Sequence, residues 1–267
     1  MMVIRNPLIM ATAAISALLV VSGCGGVRAT EEFYQSYQVR SGTTIEIYNS
    51  NGDVTITGWD QSNVEIFALK ESFRGQPALD EVEIFIDIAD RMVIQTEHPD
   101  QSTDVTVSYE IKVPEDIFVE VIDCSNGNIK LEDVTGNAAL STSNGSVSVS
   151  NVNGIVSARS SNGNITAAGV KGLGGLRTSN GSIEAELPAL HEAIEIRTSN
   201  GSITLSLLSS LEADLEASTS NGTVSVSNLN VDIVELSQTM LVGMLNGGGH
   251  KISITTSNGS IDLLQLR

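Results

Sequence analysis

Arg197-Thr198-Ser199-Asn200-Gly201-Ser202-Ile203 is the stretch that decides the fold, because close copies of it recur from Asn51 to Asn258. Ser-Asn-Gly stands at Ser50, Ser125, Ser143, Ser161, Ser179, Ser199, Ser220 and Ser257, so successive Asn residues lie 75, 18, 18, 18, 20, 21 and 37 positions apart. A nearly constant period of 18 to 21 residues marks stacked units, each burying its apolar face against the next.

Around each Asn the residues alternate as in strands. Three positions after it come Ile129, Val147, Ile165, Ile183, Ile203, Val224 and Ile261; five after it come Leu131, Val149, Ala167, Ala185, Leu205, Val226 and Leu263. Four before it come Ile122, Leu140, Ala158, Leu176, Ile196, Ala217 and Ile254. A second corner carries Val134, Val152, Val170 or Leu229, and Trp59 occupies the equivalent place in the first copy. The residues between these columns, such as Ser148, Thr166 and Thr204, are polar and should face water. An isolated Asn-Gly between alternating runs signals a type I′ hairpin, which would make an antiparallel meander. Equal spacing and matching residue types predict a stack instead: an all-β, elongated β-solenoid of 18–21-residue coils with Ser-Asn-Gly corners, along which the Asn side chains form a ladder. Cys124 falls where other copies carry Thr142, Ser160, Thr178, Thr198 and Thr219, and reads as a small, inward-facing corner residue.

The irregular intervals need separate expectations. The 75-residue gap is close to four periods, so residues 60–123 are expected to continue the same stack without the signature, a separate antiparallel sheet being the alternative. The 37-residue gap counts as two coils. Met240 to His250 reads as an irregular coil or an exposed loop, and Ile261 to Leu266 as the closing strand.

Arg5 followed by the uncharged apolar run Leu8–Val21 reads as an export signal too short to span a bilayer comfortably. It ends in Val21-Ser22-Gly23-Cys24, which resembles a bacterial lipobox. That resemblance implies cleavage before Cys24, acylation of Cys24, and, with Gly25 rather than Asp next, sorting to the outer membrane. The expected organisation is a lipoprotein signal peptide over 1–23, the lipidated Cys24 with a short tether over 24–37, and the solenoid over 38–267. With Cys24 modified, Cys124 is left without a disulfide partner.

Composition narrows the chemistry. A net charge of −18 disfavours nucleic acid, which is gripped through clusters of Lys and Arg. His98, His191 and His250 share no repeat position, so no metal site and no cofactor is expected. Glu195 and Glu216 both fall five before their Asn and are expected to stand one above the other, with Arg197 near enough to neutralise them. No catalytic residue is assigned. Arg159, Arg177 and Arg197 all fall three before their Asn, so they should stack into a positive stripe on an acidic rod, suited to an anionic ligand.

Four segments taken in order carry a family resemblance: Asn49-Ser50-Asn51-Gly52-Asp53-Val54, Tyr109-Glu110-Ile111-Lys112-Val113-Pro114, the serial Thr-Ser-Asn-Gly corners, and Gly247-Gly248-Gly249 running to Ser257-Asn258-Gly259. Residues 38 to 266 resemble the bacterial "putative adhesin" or toast-rack domains of unknown function, apart from the long 221–258 interval. The resemblance implies a β-solenoid without established catalytic residues, found in envelope proteins and lipoproteins. The expected role is therefore non-enzymatic: a lipid-anchored cell-envelope protein whose repetitive surface serves adhesion, scaffolding or partner binding. Its expected partners are the membrane, through the anchor, and an envelope protein or glycan. A polysaccharide-active β-helix enzyme and a sensory module of an envelope-stress system are the alternatives.

Overall fold

The computed structural model describes residues 12–13, 28–98 and 104–266. Cys24 and nearly all of the expected signal peptide lie outside the described residues; within that segment only the short strand Thr12–Ala13 is described, bridged to Ser36 and Gln35. Two twelve-stranded sheets face each other. In the central region each coil contributes one strand to each sheet. Ile129–Glu132, Val147–Ser150, Ile165–Ala168, Ile183–Leu187 and Ile203–Leu207 pair in parallel in the first sheet. Phe118–Asn126, Ala138–Asn144, Ile155–Asn162, Gly172–Arg177 and Ile194–Arg197 do so in the second. The parallel register excludes the hairpin reading of Asn-Gly and gives the expected solenoid.

The core lies between the sheets and is built from the columns legible in the repeat. Ile129, Val147, Ile165, Ile183, Ile203 and Ile261 are buried, as are Ile122, Leu140, Ala158, Leu176, Ile196 and Ile254. Equivalent residues sit on one another as direct register partners, for example Val147 on Ile165 and Ile165 on Ile183. Each apolar side chain thus meets a like-shaped neighbour above and below, which removes its surface from water at about 25 cal/mol per Å².

Three polar columns hold the Ser-Asn-Gly corner. The eight corner Asn residues form one unbroken ladder, in which Asn126, Asn144, Asn162, Asn180, Asn200, Asn258 and Asn221 each donate Nδ2–H to the Oδ1 of the Asn beneath, at 2.7–3.0 Å. Just inside it, the hydroxyls of Thr142, Ser160, Thr178, Thr198, Thr256 and Thr219 donate to the corner glycine carbonyl of the neighbouring coil at 2.8–2.9 Å. These side chains are buried, and without them the carbonyls would lack that partner. Just outside, Asp53, Asn128, Ser146, Asn164, Ser182 and Ser202 each accept a backbone N–H from the next coil at 2.7–3.3 Å. The corner glycines are needed chiefly for close approach: a Cβ on Gly163 would lie 2.0 Å from the carbonyl oxygen of Gly145. At the opposite corner the chain turns through left-handed backbone at Asp133, Asn151 and Asn228, residue types that tolerate positive φ.

Both ends depart from the expected order. Asn51 is the direct register partner of Asn126, so the 75-residue interval is one step of the ladder and not four coils. The coil 44–59 is sandwiched between strands of 91–114 and of 118–132. The intervening chain closes the stack, with Ala29–Gln38, Asn63–Ser72 and Val105–Pro114 forming an antiparallel ribbon. Glu83–Ile88 pairs antiparallel with Arg91–Glu97, and the one-turn helix Gln76–Asp80 buries Ala78 and Leu79. Residues 60–123 therefore combine the two expectations: part stacks in parallel and part is an antiparallel cap. Ala29–Gln38, which overlaps the stretch expected to be tether, is a full strand of that cap.

At the other end Ile252 pairs on one side with Ile194 and on the other with Leu215. Likewise Ile261 lies between Ile203 and Val224. The coil 250–265 is thus inserted between 194–207 and 213–227, although it follows both in the chain. The 37-residue interval is again one step, and Ile261–Gln265, the last strand of the chain as expected, lies inside its sheet and not at the edge. Met240–Leu245 is neither loop nor coil but an antiparallel strand between Ala213–Asn221 and Val231–Leu236, capping the second sheet.

Candidate functional site

The three arginines come together as the repeat predicts. Arg159 is the direct register partner of Arg177, and Arg177 of Arg197. In the chain the Arg alternates with inward residues, Ala158 and Ser160 for Arg159, so the guanidinium must point to solvent, and all three are exposed. Successive coils place them about 4.8 Å apart, the spacing of hydrogen-bonded strands. Arg177 is paired with Glu195, while Arg159 and Arg197 make no ion pair among the described residues. They line a shallow concavity with Ser141, Ser143, Ser161, Ser179 and Ser199, together with Thr142, Ser160 and Thr178 beneath, and no carboxylate lines it. The hydroxyls of Thr142, Ser160 and Thr178 are turned to glycine carbonyls, leaving the outward serines to meet a ligand.

The expected Glu195–Glu216 stack does not form. Ser253 is the register partner of both, because the inserted coil stands between them. Glu195 pairs with Arg177 and Glu216 with Lys251, the latter at 2.5 Å. Each carboxylate is thus held by its own cation, and the two stand a coil apart. Among the described residues no three His, Cys, Asp or Glu side chains converge as metal ligands.

Cys124 is fully buried, and its thiol donates to Gly52 O at 3.3 Å in place of the hydroxyl of the other coils. Burial, foremost, pushes that thiol up to about 11, which leaves it protonated and unreactive at neutral pH. Where the hydroxyl column reaches the capping region, Asn49 replaces it and donates to Gly52 O and Val107 O at 3.0 and 2.9 Å. Thr96 bonds Asn49 Oδ1 at 2.9 Å and meets the Tyr109 hydroxyl at 2.7 Å, a buried network in which burial pushes Tyr109 up to about 12.

Two further concavities lie at the second corner. Trp59, Asp60, Gln61, Pro114 and Glu115 line one, but Lys112 stands over the indole ring, 5.3 Å from its centroid. Pro188, Leu190, Leu211, Glu212 and His250 line the other, where the inserted coil meets its neighbours.

The model of the family described as Toastrack DUF4097 matches residues 34–264. The chain belongs to this family. Among solved structures, a "putative cell adhesion protein" from Clostridium sporogenes is similar at 13% identity and a TM-score of 0.36, over 88% of this chain and 100% of that one. A "putative adhesin" from Bacteroides fragilis is similar at 12% identity and a TM-score of 0.39, over 87% of this chain and 97% of that one. One from Parabacteroides distasonis is similar at 11% identity and a TM-score of 0.39, with the same coverage. No curated protein matches the chain. Among the described residues, no helix of this toast-rack protein is long and apolar enough to cross a membrane.

Proposed function

We propose that this toast-rack protein is a non-enzymatic binding protein of the cell envelope, anchored in the outer membrane through acylated Cys24, with Arg159, Arg177 and Arg197 as its ligand face. One observation carries the ligand reading. On a chain of net charge −18, the concavity over the central coils is lined by three arginines and hydroxyl side chains, and among the described residues the one acid paired with the stripe is Glu195, beside it on Arg177. Arginine on a rigid strand holds carboxylate or sulfate through paired N–H donors, and its order before binding reduces the entropy lost on contact. The lipobox-like Val21-Ser22-Gly23-Cys24 supports the anchor, and a rigid stack supports presentation of a long face away from a membrane.

The reading predicts retention on acidic members of an array of bacterial and host glycans, at low and at physiological salt. Replacing all three arginines by Ser should abolish that retention and leave the circular dichroism spectrum unchanged. Equal retention of the triple variant would remove the Arg face from the function. Labelling of cells with a radioactive fatty acid should mark the wild type and not Cys24→Ser, and labelling of both would remove the anchor.

A further inference from the structure

The stripe is not uniformly charged, and its pattern narrows the class of ligand, provided that the arginines are the ligand face as proposed. Among the described residues Arg159 and Arg197 carry unpaired guanidinium groups, whereas Arg177 between them is paired with the carboxylate of Glu195. Along the stack axis the face therefore reads charge, neutral pair, charge, with the two free cations about 10 Å apart at their Cα atoms, two strand spacings. Outward serines accompany every step, Ser161, Ser179 and Ser199 beside the three arginines and Ser143 one coil earlier. Each offers a hydroxyl that both donates and accepts, the chemistry that matches sugar hydroxyls.

An extended chain of equatorially linked pyranoses advances by nearly one strand spacing per sugar. Such a chain lying along the axis places one sugar on each coil. We propose that this face binds a linear acidic polysaccharide that carries its carboxylate or sulfate on alternate sugars. The charged sugars then meet Arg159 and Arg197 through paired N–H donors. The uncharged sugar between them lies over the Arg177–Glu195 pair and the Ser179 hydroxyl. A polymer charged on every sugar instead brings an anion against Glu195, whose side chain is 40% exposed beside the stripe. That like-charge contact rejects it. Glu195 is thus the specificity-determining residue and Arg159 and Arg197 the binding ones.

The test compares the full chain against a hyaluronan octasaccharide, whose carboxylates fall on alternate sugars, a β-1,4-linked oligomannuronate of equal length, also equatorially linked but charged on every sugar, and a neutral β-glucan oligosaccharide. Isothermal titration should find the hyaluronan oligosaccharide bound about tenfold more tightly than the oligomannuronate, a difference of about 1.4 kcal/mol. The neutral glucan should not register. Arg159→Ser and Arg197→Ser should each weaken hyaluronan binding by about tenfold, the loss of one charge-assisted contact. Glu195→Gln should raise oligomannuronate affinity and close the gap while leaving hyaluronan binding nearly unchanged, an effect that a purely structural Glu195 would not have. Equal wild-type affinities for the two acidic chains, or a gap that persists in Glu195→Gln, overturn the alternate-charge reading and leave anionic binding standing. Binding of neither acidic chain overturns both readings. Binding of both that survives Arg159→Ser and Arg197→Ser overturns the placement.

Discussion

The central coils and the two ends are made of the same columns but obey different rules of order. From Phe118 to Leu207 each coil lies on the one before it in the chain, at intervals of 18 or 20 residues between corner Asn residues. At both ends a coil has been slipped between two others: 44–59 beneath 118–132, and 250–265 beneath 213–227. In the centre, removing a unit would disturb its nearest neighbours only. At the ends an interior slot is filled by chain distant in sequence, so several segments depend on one another. A solenoid of strictly consecutive coils can fray from its tips, whereas these tips are tied in.

The largest effect should come from deleting residues 247–267. In a consecutive stack this would remove a terminal unit. Here it removes Ile252, Ile254, Ile261 and Leu263 from between two coils, all of them buried. Residues 213–245 should lose hydrogen-exchange protection together with the deleted coil, and protection retained over 213–227 would show that the insertion is dispensable. Next, Gly163→Ala in the centre drives a methyl group onto the Gly145 carbonyl at 2.0 Å, and should cost about 3 kcal/mol in urea unfolding, as severe overpacking does. A loss under about 1 kcal/mol would show that the coils can separate locally. Thr178→Val keeps the shape but strips Gly163 O of its buried hydroxyl donor, with an expected loss of about 1–3 kcal/mol. The smallest effect concerns the junction of centre and cap. Burial raises the pKa of Cys124 on folding, so the folded form holds its proton where the unfolded chain releases it, and stability should fall as pH rises from about 9 toward about 11. Cys124→Ser should flatten that part of the pH profile in thermal melts; an unchanged slope would assign it to Tyr109 instead.

The legibility of the sequence divides along the same line. The three apolar columns, the Asn ladder and the stacking of Arg159, Arg177 and Arg197 depend only on position relative to the nearest Asn, and all are present. The slot taken by each coil does not depend on that position. Because every coil presents the same Ile, Thr and Asn columns, 250–265 fits against 194–207 as well as 213–227 does, and periodicity contains nothing that chooses between them. For this reason the 75- and 37-residue gaps read as several coils, and Glu195 falls opposite Glu216 by position although Ser253 stands there. The antiparallel caps have a readable sign: Val64–Leu69 and Val105–Val113 alternate without any Asn-Gly, which fits ribbons as well as coils. The small polar column containing Thr142, Ser160 and Thr178 is visible in the repeat, but the bond from each hydroxyl to a glycine carbonyl is not, since it joins residues of different coils.

The corner glycines have one more consequence, and it concerns chemical ageing. Asn-Gly is the dipeptide most prone to lose ammonia, because the glycine nitrogen can attack the Asn side-chain carbonyl and close a succinimide. A chain with eight such corners would acquire new negative charges steadily if it stayed unfolded. In the stack the N–H groups of Gly52, Gly127, Gly145, Gly163, Gly181, Gly201 and Gly259 are each engaged by an Asn carbonyl of the adjoining coil at 2.8–3.0 Å. The ladder meanwhile ties the Asn amides to one another through Nδ2–H and Oδ1. The contact that sets the register also withholds the nucleophile, so a coil that stays stacked keeps its amides and one that opens begins to lose them.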